Sequence, residues 1–272
     1  MKGEVMTMEL SSQVTWLHKI NPSFKFVIIV ILFLGLLFIH DINVMVNLMF
    51  GTLILYVCFT GHPWKRLLLI AIPFLLIFIT SSTSMIFFGK GDVTWFKWGF
   101  IHITEESFFR GVHLGVRGIE FALLGVTFAL TTRPVYLFYS FMQQLKLKPK
   151  YAYSFMAAIR LLPIMIEELQ TLRYALKIRG VKHHKGLRGL YERLKFFSIP
   201  LLAQSIRRAH RIAVAMEAKR FSQTSKRTYY YQLGFSRYDF LFVVFFLLII
   251  TISYVAMIYF PYVDIHDVRY EG

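Results

Sequence analysis

Residues 240–263 run without a single Asp, Glu, Lys or Arg. A helix needs about 20 apolar residues to cross a hydrocarbon core roughly 30 Å thick, so this run fits a bilayer far better than a water-soluble core. The stretch before it has the opposite character. Between Arg133 and Arg237 there are 21 Lys and Arg, four Glu and no Asp, a net of +17, while the rest of the chain nets −1. A soluble fold has no use for the apolar run, and a simple membrane anchor has no use for the basic insert. Together they predict a membrane protein with a large cytoplasmic part whose partners are acidic.

Four further stretches approach or reach membrane length. Residues 42–64 and 67–89 carry no Asp, Glu, Lys or Arg, and 112–132 is interrupted by Arg117 and Glu120. Residues 26–39 are short, and Lys25 is expected to lengthen them by reaching toward the interface. With 56% hydrophobic residues, the composition is that of a membrane protein. A signal peptide at 26–39 does not fit, because His40-Asp41-Ile42-Asn43 follows instead of a small-residue cleavage site. Asn21-Pro22 reads as a helix start. Cys58 is the only cysteine, which excludes an internal disulfide and a thiol metal site. It reads as a small buried apolar residue.

Cytoplasmic loops collect Lys and Arg. Lys2, Lys19 and Lys25 place the N-terminus inside, as Lys65 and Arg66 do for the second loop. Around 89–110, Lys90, Lys97 and Arg110 balance Asp92, Glu105 and Glu106, which fits the outside, with Trp95 and Trp98 as interfacial anchors. The acidic tail after Pro261 also fits the outside. The expected chain is an all-α integral membrane protein with about five transmembrane helices and two long cytoplasmic amphipathic helices. It divides into an N-terminal bundle of four spans (1–132), a basic cytoplasmic region (133–238), and a last helix with a short outer tail (239–272). Arg117 and Glu120, three apart, are expected to pair on one face of the fourth span.

The basic region contains two helical segments, about 150–179 and 190–221. Pro163 is expected to kink or divide the first, and Pro200 lies near the middle of the second. Gly180 follows the first directly, where a glycine ends a helix in the left-handed conformation. Ala209 and Ala213, four apart, offer a small-residue face for a helix crossing, with Arg207, Arg208 and Arg211 beside it. Residues 181–189 read as a hydrophilic turn. No phosphate-binding loop, zinc pattern or nucleophile motif is present, and neither His183-His184 nor Glu167-Glu168 makes a metal or catalytic pair. The chain reads as a non-enzyme with no catalytic, cofactor or metal residues and no cofactor of its own.

What remains is a cluster of cations at two helix ends, Ile178-Arg179-Gly180 and Ala218-Lys219-Arg220. Cations there complement the helix dipole. An exposed guanidinium is also suited to pair bidentately with a partner's carboxylate. Several segments resemble one family, in order along most of the chain: Leu17-His18 with Pro22 and Lys25, Thr131-Thr132-Arg133-Pro134, Arg160-Leu161-Leu162-Pro163 followed by Glu167-Glu168, and the two helix ends. The chain resembles the transmembrane T component, CbiQ-like, of energy-coupling factor (ECF) transporters. The second motif of that family reads Ala-x-Glu-Ala-Arg-Gly-Phe. Here Lys219 stands at its Arg and Arg220 at its Gly, so either Lys219 makes the contact or Arg220 makes it with a shift of register.

The resemblance implies a subunit of the bacterial cell membrane that works with two ABC-type ATPase subunits and a small membrane S component. The two helices would cross at Ala209 and Ala213. Their tips, Ile178, Arg179, Gly180 and Ala218, Lys219, Arg220, would dock on the ATPases and pass ATP-driven movement to the S component. The substrate would be a vitamin, a vitamin precursor, or Co²⁺ or Ni²⁺. Nucleic acid is not expected as a partner of such a subunit. The alternative is a polybasic membrane protein whose cytoplasmic face binds anionic lipid or nucleic acid.

Overall fold

Short polar side chains fix where the membrane helices begin. In the computed structural model, Asn21 accepts from the Ser23 amide at 3.1 Å, with Pro22 in the first turn, and starts α1 (Pro22–Leu37). Asp41 accepts from the amides of Asn43 and Val44 and starts α2 (Ile42–Phe59). Each such cap satisfies amides that the helix cannot bond itself. Gly61, at φ +72°, turns the chain into α3 (Trp64–Phe88). A short antiparallel hairpin, β1 (Thr94–Trp98) and β2 (Ile101–Thr104), leads to α4 (Glu105–Thr131). Thr104 and Ser107 cap α4 reciprocally. Then come α5 (Pro134–Gln144), α6 (Pro149–Ile178), α7 (Leu187–Ala218) and α8 (Arg237–Tyr259). The structure describes residues 13–89, 91, 93–98, 101–180, 186–221 and 228–263. Most of the expected 181–189 turn and the outer tail beyond Val263 lie outside them.

The chain is an all-α membrane protein. Helices α2, α3, α4 and α8 are long and apolar enough to cross a bilayer, and α1 is a shorter apolar helix of 16 residues. The chain divides into two compact units, Met1–Leu137 with Leu233–Gly272, and Phe138–Gln232.

In the first unit α4 packs against α1, α2 and α3, and α8 against α1 and α2. Leu17, Val44, Met45, Leu55 and Phe242 are almost fully buried in its core. Gly111 and Gly115, four apart on α4, permit the close approach of α3. A Cβ at Gly111 would lie 2.6 Å from Ile86, and one at Gly115 2.5 Å from the Phe78 ring. This is the small-residue spacing through which membrane helices meet closely. Many apolar side chains of α1, α2, α3 and α8 point outward, as lipid-facing helices require. Cys58 is among the exposed residues, not buried as expected, because α2 turns that position away from its neighbours.

Pro163 does not divide the first basic helix, since α6 runs through it as α7 does through Pro200. Lys25 does not reach outward to lengthen α1. It is 1% exposed, and its Nζ donates to the Leu17 carbonyl at 3.0 Å and to Thr131 Oγ1 at 2.5 Å.

Candidate docking site at the ends of two long helices

In the second unit α6 and α7 pack on each other. Ser205 Oγ donates to Met165 Sδ at 3.7 Å, and the Arg208 guanidinium pairs with the Glu168 carboxylate. Leu201, Ser205, Arg208, Ile212 and Met216 form the partly covered row of α7, whereas Ala209 and Ala213 are exposed. Among the described residues the hydrogen-bonded contacts of α7 with α6 fall on that row, at Ser205 and Arg208. Ala209, four residues after Ser205 and three before Ile212, borders that row, since residues so spaced share a helix face. No spacing rule within α7 alone identifies Glu168 as the partner of Arg208, because the two are 40 residues apart.

The two helix ends are built on one plan. At the end of α6, Arg179 is the C-cap, Gly180 stands at φ +67°, and the Gly180 amide donates to the Lys177 carbonyl at 3.2 Å. At the end of α7, Lys219 is the C-cap, Arg220 stands at φ +53°, and the Arg220 amide donates to the Glu217 carbonyl at 2.8 Å. The Phe221 amide then closes on the Met216 carbonyl at 2.9 Å, completing the paired cap that satisfies a helix's last carbonyls. The Phe221 ring rests edge-on against Tyr153 of α6. In backbone terms Lys219 corresponds to Arg179, and Arg220 to Gly180, with no shift of register. Ile178, Arg179, Gly180, Ala218, Lys219 and Arg220 are all exposed. None of the three cations has a hydrogen bond or ion pair among the described residues. Among the described residues the arrangement offers unpaired positive charge at two helix tips.

In the first unit the expected Arg117–Glu120 pair gives way to separate partners. Arg117 Nη2 donates to the Ile39 carbonyl at 2.7 Å, and Glu120 Oε2 accepts from Thr52 Oγ1 at 2.7 Å. Ile39 lies in the turn after α1 and Thr52 lies on α2, so each group finds its partner outside its own helix. Two segments singled out in the sequence do meet, since Lys25 bridges Leu17 and Thr131. Beside them, Asp239 is 4% exposed and accepts from the amides of Asn21 and Ser236, each at 2.7 Å, while Asn21 Nδ2 donates to the Gly234 carbonyl at 3.1 Å. His18 accepts from the Thr15 amide. Burial, then the charges of Lys25, His62 and Arg133, hold its pKa below the usual histidine range.

A cleft of about 320 Å³ lies between α2, α3 and α4, walled by residues such as Leu53, Trp64, Leu68 and Leu123. The hydroxyl of Tyr56 on its wall is spent on the Leu67 carbonyl. The walls suit a lipid tail or an apolar helix face, not a polar cargo.

The CbiQ family, described as cobalt transport protein, matches residues 13–230. The energy-coupling factor transporter transmembrane protein EcfT of Ruminiclostridium cellulolyticum is 30% identical over 256 residues, covering 88% of this chain and 93% of that protein. The protein of the same name from Clostridium kluyveri is 27% identical over 260 residues, covering 90% and 94%. The one from Macrococcus caseolyticus is 26% identical over 237 residues, covering 83% and 88%.

Proposed function

The chain belongs to the CbiQ family, and from that premise we propose that it is the energy-coupling transmembrane component of an ECF transporter. Its relatives are named as transmembrane components of such transporters and not as enzymes. In this reading residues 133–238 form the cytoplasmic coupling region, with the N-terminus inside and the C-terminus outside a bacterial cell membrane. The tips of α6 and α7 each dock on one ABC-type ATPase subunit, and a small membrane S component captures a vitamin, a vitamin precursor or a transition-metal ion.

The observation that carries this reading is the pair of matched helix ends whose exposed Arg179, Lys219 and Arg220 side chains have no partner among the described residues. The helices behind them are 30 and 32 residues long, about 45 and 48 Å at 1.5 Å per residue. A stiff rod of that length, pushed at its tip, carries displacement over a membrane's thickness. Closure of the ATPases would change the geometry of the pair, a shear or hinge motion, and the Glu168–Arg208 contact is where the helices would bear on each other.

The test is detergent co-purification of the chain with its ATPase subunits. Wild type should retain them. Arg179→Glu, and Lys219→Glu with Arg220→Glu, should release them and abolish coupled uptake. Retention unaffected by these changes would overturn the docking reading and make anionic lipid the next partner to test.

A further inference from the structure

The apolar cleft of the first unit serves neither the helix tips nor the buried polar contacts of the frame. Helices α2 and α3 each pack closely on α4 but scarcely on each other, and the cleft of about 320 Å³ lies where they stand apart. Every lining residue described is aliphatic or aromatic. The one hydroxyl on the wall, that of Tyr56, is already bonded to the Leu67 carbonyl. A ligand therefore gains only apolar contact inside, so the part of it that enters is hydrocarbon. Ala71 of α3 and Ala122 of α4 keep the space open, since both line it with the smallest side chain present.

Length and charge select the occupant. On α3 the wall runs from Trp64 to Leu75, about 16 Å at 1.5 Å per residue. That is half of a hydrocarbon core roughly 30 Å thick, the depth of one leaflet. A partner's transmembrane helix runs through both leaflets, whereas the acyl chain of a phospholipid ends near the mid-plane. The mouth is cationic. Trp64 opens α3 and is exposed, and Lys65 and Arg66 follow it, both exposed. Lys65 stands three residues before Leu68 of the wall and so shares the cleft face. An indole belongs at the membrane–water interface, which puts the two cations at the level of the headgroups.

We propose that this cleft binds one anionic phospholipid, with an acyl chain against Ala71 and Ala122 and the phosphate at Lys65 and Arg66. The guanidinium takes the phosphate bidentately, and the ammonium adds a point charge. The bound chain fills the space that α2 and α3 leave between them and ties both to α4. In the topology proposed for this chain, the lipid comes from the cytoplasmic leaflet.

The experiment offers the full chain, purified in a mild detergent, phosphatidylglycerol or phosphatidylcholine with the same tails, and counts retained lipid by native mass spectrometry. Phosphatidylglycerol should be retained about tenfold over phosphatidylcholine and should raise the thermal midpoint of the chain. The basic region also attracts anionic lipid, so variants isolate the cleft. Ala71→Phe should remove one retained phosphatidylglycerol per chain and the gain in midpoint. Lys65→Gln with Arg66→Gln should keep tail binding but lose the preference between headgroups at this site. A readout independent of any variant's folding is phosphatidylglycerol with a photoreactive diazirine in its tail, which should crosslink the wild-type segments around Ala71 and Ala122. Equal retention of the two lipids, or crosslinks confined to the basic region, would overturn the proposal. Loss of the α3 and α4 crosslinks on assembly with the ATPase and S-component subunits would overturn it too, and would give the cleft to a partner's helix.

Discussion

The two units of this chain are held by different means. The first buries polar groups deliberately: Lys25 against Thr131 and Leu17, Asp239 against two backbone amides, and Glu120 against Thr52. The second has little that is buried. Among the described residues the buried ones are Ser140 and Met142 in α5, Ala152 in α6 and Gly189 in α7. Its helices meet through a partly exposed ion pair and a serine–methionine contact. Buried, fully paired polar groups define a single arrangement because every alternative leaves one unpaired. A thin, half-wet helix contact permits several arrangements at similar energy. The contrast suits a fixed membrane frame and a pair of helices that move.

Three substitutions would break or sharpen that contrast. The largest effect is expected at Asp239. Asp239→Ala leaves the amides of Asn21 and Ser236 unpaired inside the first unit, which should cost about 3 kcal/mol. The check is thermal unfolding of the purified chain in detergent, and an unchanged midpoint would show that this cluster does not hold the frame. Gly115→Val comes next. Its added carbon must displace the Phe78 ring, for about 2 kcal/mol by the same measurement. A neutral result would mean that α3 and α4 separate easily, against the picture of a rigid frame. Glu168→Gln is the mildest. The pair it removes is about a quarter exposed on each side, so stability should change by less than about 1 kcal/mol. Spin-label distances between α6 and α7 should nonetheless broaden. A large stability loss without broadening would place the second unit in the same class as the first.

Much of the fold was legible from particular residues. The charge-free runs place the apolar helices, because a bilayer leaves no other arrangement for them. Asn21-Pro22 and Gly180 mark helix ends as capping chemistry dictates. The hairpin before α4 and the short helix α5 went unread. Gly111 and Gly115 carried a readable signal of close packing that was passed over. The candidate docking residues were legible as positions, since all six sit at helix ends, exposed.

The sequence by itself determined the membrane class of the chain, its long basic helices and the cations at their ends. These follow from local pattern, through apolar length, amphipathic period and cap chemistry. Only the tertiary structure decided the partners. Arg117 went to the Ile39 carbonyl after α1 and Glu120 to Thr52 of α2, Lys25 turned inward, and α7 met α6 through Ser205 and Arg208. Residues far apart in the chain compete for one polar group, and geometry across helices chooses among them.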